Sequence, residues 1–197
     1  MIGMPVSRID YLLDDIFDLY AEHGTSLYAG EKISQLEHMC QAARLAMREG
    51  YDDEVVLAAF LHDIGHLLPV HDEHESMNGY GTLDHEKVGA DYLRRLGFSD
   101  RLCKLIASHV NAKRYLTWKD PGYYNQLSEA SKKTLEYQGG RMSSEEAARF
   151  ESDPLFDIYI KMRQWDEAAK VEHLPLEDIS VFRKKAARHL ERLQGVF

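Results

Sequence analysis

Strand signal is almost missing from this 197-residue chain. Alternating polar and apolar runs, the mark of a half-buried strand, scarcely occur, which speaks against a sandwich, a barrel or a wound sheet. Long apolar runs are missing too: none approaches the ~20 residues that a membrane span needs. The opening MIGMPVSRID has neither the basic start nor the apolar core of a secretion signal, so the expected location is cytoplasmic. Cysteine is scarce. Cys40 and Cys103 both sit in helical apolar patterns and read as buried thiols rather than a disulfide. Positive charge is in short supply: 24 Lys and Arg stand against 33 Asp and Glu, a net charge of -9. No basic cluster forms the phosphate footprint of a nucleic-acid binder, although a few local cations can still hold a small anion.

Helix signals fill the space. Ser7 is a cap candidate for a helix that stops at Gly24, and Ser34 with Glu37 makes a capping box for one that ends at Gly50. Further helices are predicted from about Asp52 to Leu68, stopped by Pro69; from Asp84 to Leu96; from Ser99 through Leu116; over SEASKKTLEY; from the Ser143 and Glu146 box; over PLFDIYIKMRQWDEAAK; and over 177–193 at the C-terminal end. KDPGYYN reads as a loop. With no repeat, low-complexity tract or linker, the expectation is one all-α domain over 1–197, a helical bundle with its core at about 20–170 and long functional loops near 23–33, 69–83 and 117–126.

One stretch breaks its own pattern. AAFLHDIGHLL is apolar all round, as a buried core helix is, yet His62, Asp63 and His66 interrupt it. A single histidine there is ordinarily a core residue bonded to a carbonyl. Three polar groups would each need a separate buried partner, and a shared metal satisfies them together. On a continuous helix His62 and His66 share a face and Asp63 is one step away, with two oxygens that can bridge two metals. Imidazole and carboxylate suit iron, manganese or zinc. More donors, His38, His85, His109 and Asp166, lie on other predicted helices, as in bundle metal sites. His23, His71, His74, His173 and His189 fall in loops or on charged faces and read as solvated.

The order His38, His62-Asp63, Asp166 resembles the H…HD…D signature of the HD-domain superfamily, and His85 with His109 matches the subset that holds a second metal. LYAGEKISQLEH, GYGTLDHEKVGADYLRRLGFS, SHVNAKRYL and LSEASKKTLEYQGG together resemble the phosphonate-cleaving HD oxygenases of the PhnZ and TmpB type, over about residues 20–170. More distantly, the chain is similar to myo-inositol oxygenase.

That resemblance implies a non-haem Fe(II)/Fe(III) pair with O2 as co-substrate. His38, His62, Asp63 and Asp166 would hold one iron; Asp63, His85 and His109 would hold the other. Tyr28 would ligate iron at rest and leave when substrate arrives, and Glu31 would read a cationic nitrogen. His66, Lys113, Ser131, Thr134 and Arg163 would surround the phosphonate. The implied partner is a small hydroxyphosphonate, 1-hydroxy-2-(trimethylammonio or amino)ethylphosphonate, cleaved at its C–P bond to glycine betaine or glycine and phosphate, with the N-methylated compound favoured. The residues themselves agree with these roles. Lys113 is one helical turn beyond His109, and YAGE is a glycine-containing loop that can act as a lid. Tyr80, Tyr115, Tyr123 and Tyr124 are candidate aromatic faces for a quaternary ammonium. The competing expectations are an HD-type phosphohydrolase, with water as nucleophile, and a non-enzymatic regulatory domain. Oligomeric state is not legible.

Overall fold

The computed structural model describes residues 7–28, 30–69, 77 and 79–195. Five of its helices start on a serine whose hydroxyl accepts an otherwise orphaned backbone N–H: α1 (Arg8–His23) on Ser7, α2 (Gln35–Arg48) on Ser34, α5 (Asp100–Lys119) on Ser99, α7 (Glu129–Tyr137) on Ser128 and α8 (Ser144–Glu151) on Ser143. Such a cap stabilises a helix by about 1 kcal/mol and fixes where it begins. The predicted boxes at Ser34 with Glu37 and Ser143 with Glu146 are both formed. Aspartate serves the same purpose for α3 (Asp53–Leu61) through Asp52 and for α6 (Pro121–Gln126) through Asp120. The remaining helices are α4 (His85–Arg95), α9 (Phe156–Ala168) and α10 (Ser180–Gln194). Among the described residues the one extended pairing is the isolated bridge Leu27–Ser34, so the architecture is all-α. No helix among these residues is long and apolar enough to cross a membrane.

Three expectations are corrected. The helix foreseen from Asp52 to Leu68 ends at Leu61, and a 3-10 turn, Ile64–His66, follows. KDPGYYN is not a loop: Asp120 caps it and Pro121 occupies the first helical position, where its missing N–H costs nothing, so α6 forms there. His189 is not solvated. It lies on the inward face of α10, 4% exposed, stacked on Phe98 and accepting the Ser99 N–H. His23 and His173 are exposed as expected, whereas His71 and His74 lie outside the described residues.

Helix α3 is the centre of the core. Every side chain from Val55 to Leu61 is at most 1% exposed. Phe60 stacks on Tyr20 of α1 and on Phe182 of α10, while α2 and α5 pack along its other sides. Its all-round apolar sequence follows from being covered on every side. Cys40 and Cys103 are free thiols in this interior. Helix α9 lies across α2 and α5, and α4 runs beside α5.

The polar break in the core is held by close backbone approach. A Cβ on Gly65 would lie 2.0 Å from the His85 carbonyl oxygen, and one on Gly89 would meet the Gly65 nitrogen at 3.1 Å. Glycine at 65 therefore lets the 3-10 turn press onto the first turn of α4. Replacing Gly65 by Ala forces backbone apart and is expected to destabilise the fold by at least about 2 kcal/mol, read as a lowered urea midpoint; an unchanged midpoint would contradict this packing.

Candidate metal centre

Five helices deliver six buried donors to one point, four of the helices from an end or an end turn. His38 stands in the first turn of α2, and His62 and Asp63 follow the last residue of α3. His85 opens α4, His109 is midway along α5, and Asp166 is in the last turn of α9. All six are at most 4% exposed.

Asp63 lies in the middle. Its Oδ2 is 3.4 Å from His38 Nε2 and 3.3 Å from His62 Nε2. Its Oδ1 is 3.2 Å from His85 Nε2 and 3.4 Å from His109 Nε2. Asp166 Oδ1 joins the first group, 3.3 Å from His38 Nε2 and 4.0 Å from His62 Nε2. One carboxylate thus faces two separate imidazole pairs, one with each oxygen.

The far nitrogen of each ring decides what the near one can offer. Nδ1 of His38 faces the Ala169 carbonyl at 2.8 Å, that of His62 the Ala59 carbonyl at 2.9 Å, that of His85 the Thr82 carbonyl at 3.2 Å and that of His109 the Ile106 carbonyl at 2.8 Å. A carbonyl only accepts, so each Nδ1 carries the proton and each Nε2 presents a bare lone pair. The Nε2 atoms nevertheless approach to 3.1 Å in the first pair and 3.0 Å in the second. Asp63 Oδ2 and Asp166 Oδ1 are buried with no hydrogen-bond partner. Lone pairs crowded around orphaned carboxylate oxygens call for cations between them, and imidazole tethered to a backbone carbonyl is how proteins orient a metal ligand. The residues present fit two divalent or trivalent transition-metal ions with N/O preference.

Opposite charges concentrate at the same point. Burial disfavours ionised Asp63, but the surrounding imidazoles, His62 first, hold its carboxyl well below the usual range. Burial likewise opposes the ionised form of Asp166, and Arg163 with His38 and His62 outweighs it. Burial lowers His38, yet Asp166 and Asp63 together raise it to about 9, so without a cation a proton takes the Nε2 position that a metal would occupy. Burial pushes His109 down to about 3.

His66 also lies within ligating distance of Asp63 and His85. Its ring stacks on His85 at 3.9 Å, and its Nδ1 accepts the Thr82 N–H at 3.0 Å. Burial keeps it neutral, so its one proton is on Nε2. His66 is therefore a hydrogen-bond donor and not a further ligand. The helix break after Leu61 means that His62 and His66 do not share a helical face, which corrects the sequence expectation.

A cavity of about 40 Å³ opens beside the cluster. Tyr28, Glu31, His66, Lys113, Ser131 and Thr134 all line it, as do Arg163 and Asp166. Tyr28 lays its ring on that of His38, 4.0 Å between centroids, and burial with the charges of Asp166 and Asp63 raises its phenol well above the ordinary range. Lys113, one turn beyond His109, is 3% exposed and donates to Thr134 Oγ1 at 2.9 Å. Burial, then the charge of Arg163, lowers its ammonium to about 7.

Two charged side chains of the cavity already have partners. Arg163 does not present a free fork: its guanidinium donates to Asp166 at 2.5 Å, Glu167 at 2.8 Å and Tyr123 at 3.0 Å, because α9 places those acceptors one turn away and α6 brings the phenol. Glu31 is not a free acid either. It pairs with Lys170 at 2.7 Å. Lys170 escaped the sequence reading, since a lysine four residues past Asp166 at the end of a helix looks like an ordinary solvated charge.

Known proteins place this geometry. Residues 35–151 match the HD domain family. A hydroxymethylphosphonate dioxygenase of Gimesia maris is 40% identical over 178 residues, 89% of this chain and 87% of that one. The [1-hydroxy-2-(trimethylamino)ethyl]phosphonate dioxygenase (glycine-betaine-forming) of Leisingera caerulea is 35% identical over 184 residues, 93% of each chain. An uncharacterized protein of Acanthamoeba polyphaga mimivirus is 42% identical over 178 residues, 90% of this chain and 81% of that one. The expected resemblance is met, and the chain belongs to the HD-domain family, in the branch that includes the phosphonate dioxygenases.

Proposed function

We propose that this protein is a non-haem diiron oxygenase that cleaves the C–P bond of a 1-hydroxyphosphonate. The observation that carries the reading is Asp63, whose two oxygens each face a different pair of bare imidazole nitrogens. His38, His62, Asp63 and Asp166 would hold one iron, and Asp63, His85 and His109 would hold the other. We read the whole chain as one domain, since the core that buries these ligands draws on α1 and α10 alike.

The reaction balances as R–CH(OH)–PO3(2−) + O2 → R–COO(−) + HPO4(2−) + H+. The C–P bond breaks, one oxygen atom enters the carboxylate and the other the phosphate, and C1 loses the four electrons that O2 gains. A mixed-valent Fe(II)/Fe(III) pair supplies the O2 site and the electron transfers this oxidation needs. The chain's own side chains do the rest. Lys113, steadied by Thr134, and the Nε2–H of His66 donate to the phosphonate oxygens, with the Ser131 hydroxyl beside them. An arriving dianion draws Lys113, balanced at about 7 by burial, into its charged form. Tyr28 closes the site at rest against His38 and yields to substrate. Arg163 holds Asp166 in position through its short ion pair.

A phosphohydrolase built on the same ligands would use water and ignore oxygen, so the two readings part under nitrogen. Iron-loaded protein is expected to release phosphate from a 1-hydroxyphosphonate in air and to stop without O2, followed by phosphorus NMR; release that persists anaerobically sinks the oxygenase. Asp63→Asn is expected to lose both irons and His109→Ala about one of the two, counted by elemental analysis; full iron in Asp63→Asn would remove the bridging assignment. Lys113→Met is expected to raise KM for the phosphonate about tenfold or more while keeping its iron, and an unchanged KM would strike Lys113 from the anion contacts.

A further inference from the structure

One cation in the cavity has no part in the oxidation. Lys170, just beyond the end of α9, has its Nζ 2.7 Å from Glu31 Oε1, 3.4 Å from the Ser128 hydroxyl and 3.5 Å from that of Ser131. It also stands 5.6 Å from the centre of the Tyr28 ring. The two side chains of the pair are 17% and 18% exposed, so it is largely shielded from water and costly to break on one side only. Among the described residues, Glu31 and Asp166 are the carboxylates that line this cavity, and Asp166 is already engaged by Arg163 and faces His38. Among the described residues, a ligand bearing an ammonium group would find no unpaired carboxylate there. To use Glu31 it would have to displace Lys170 and leave two cations beside one acid.

Among the described residues, aromatic faces open to a quaternary ammonium are few. Of the four candidate tyrosines, Tyr80 alone lines the cavity. Tyr123 bonds Glu167 and Arg163, Tyr115 bonds Glu151, and Tyr124 lies under Lys132 and Arg141. The open face of Tyr28 is taken by Lys170 itself.

We propose that Lys170 is a specificity-determining residue. Its own ammonium, seated on Glu31, fills the position a substrate's cationic nitrogen would take and restricts the enzyme to phosphonates without a positively charged substituent. This rests on the phosphonate-oxygenase reading and sharpens its substrate. With R = H the reaction above gives formate and phosphate from hydroxymethylphosphonate.

Two readouts test it: calorimetric binding to iron-loaded protein without oxygen, and phosphate release in air. The probes are hydroxymethylphosphonate, 2-amino-1-hydroxyethylphosphonate and its N-trimethylated form. The protein is expected to bind hydroxymethylphosphonate at least about tenfold more tightly than either cationic probe. Lys170→Ala should shift the ratio about tenfold or more toward the amino compound, Lys170→Arg should keep the original ranking, and Glu31→Gln added to Lys170→Ala should abolish the shift. A native protein that prefers a cationic probe overturns the assignment even if no variant folds, and so does an unshifted ratio in Lys170→Ala. Reordered binding with no oxidation of any probe defeats the oxygenase reading and leaves Lys170 standing; phosphate release with a native preference for the ammonium compounds does the reverse. Failure of all three probes to bind overturns both.

Discussion

A single buried carboxylate organises this protein. Asp63 is 1% exposed in the most apolar part of the chain, where an uncompensated charge costs several kcal/mol. Around it stand four imidazoles, each turned by a backbone carbonyl so that a lone pair rather than a proton faces inward. The arrangement leaves carboxylate oxygens without donors and nitrogens in mutual contact. Cations between these groups would satisfy the oxygens and nitrogens together. The helices that supply the ligands, α2, α4, α5 and α9 around the end of α3, are therefore tied through the site as well as through the apolar core, and metal binding and folding are coupled in the same residues.

That demand explains local features that otherwise look like defects. The core helix stops at Leu61 because His62 and Asp63 must turn toward the centre, and the 3-10 turn that follows is tight enough to need glycine at 65 against the His85 carbonyl. The same turn swings His66 away from the face of His62 and onto the ring of His85, where the Thr82 N–H fixes its tautomer. A histidine within reach of the centre thus becomes a donor toward the cavity. One backbone N–H separates the two chemistries.

The cavity beside the cluster is a balance of a few charges. Lys113 is lightly held and near its neutral point, which suits a group that meets an arriving anion. Arg163 and Lys170 are already paired, with Asp166 and Glu31. The first of those pairs steadies a ligand. The second seats the cavity's other acid on an ammonium of the chain itself.

Resemblance to the HD-domain family marked His38, His85, His109 and Asp166; the sequence by itself determined the all-α architecture, the serine caps and boxes that set helix starts, and the polar break at His62 and Asp63. These are local signals: a cap acts within three residues, and polar groups at intervals in an apolar pattern stand out wherever the chain goes. It also indicated that Lys113 follows His109 by one turn, because both lie inside one unbroken helix. Tertiary structure decided the rest. The break after Leu61 depends on α4 pressing against Gly65, and α6 forms beneath a stretch whose Pro and Gly read as loop. His189 is buried only because α10 folds back over α3 and the start of α5. Above all, the engagement of Arg163 and Glu31 arises from acceptors and a lysine brought in from α6, α9 and the segment beyond it. For Glu31 the partner is 139 positions away, and no pattern along the chain records which distant charge will meet another.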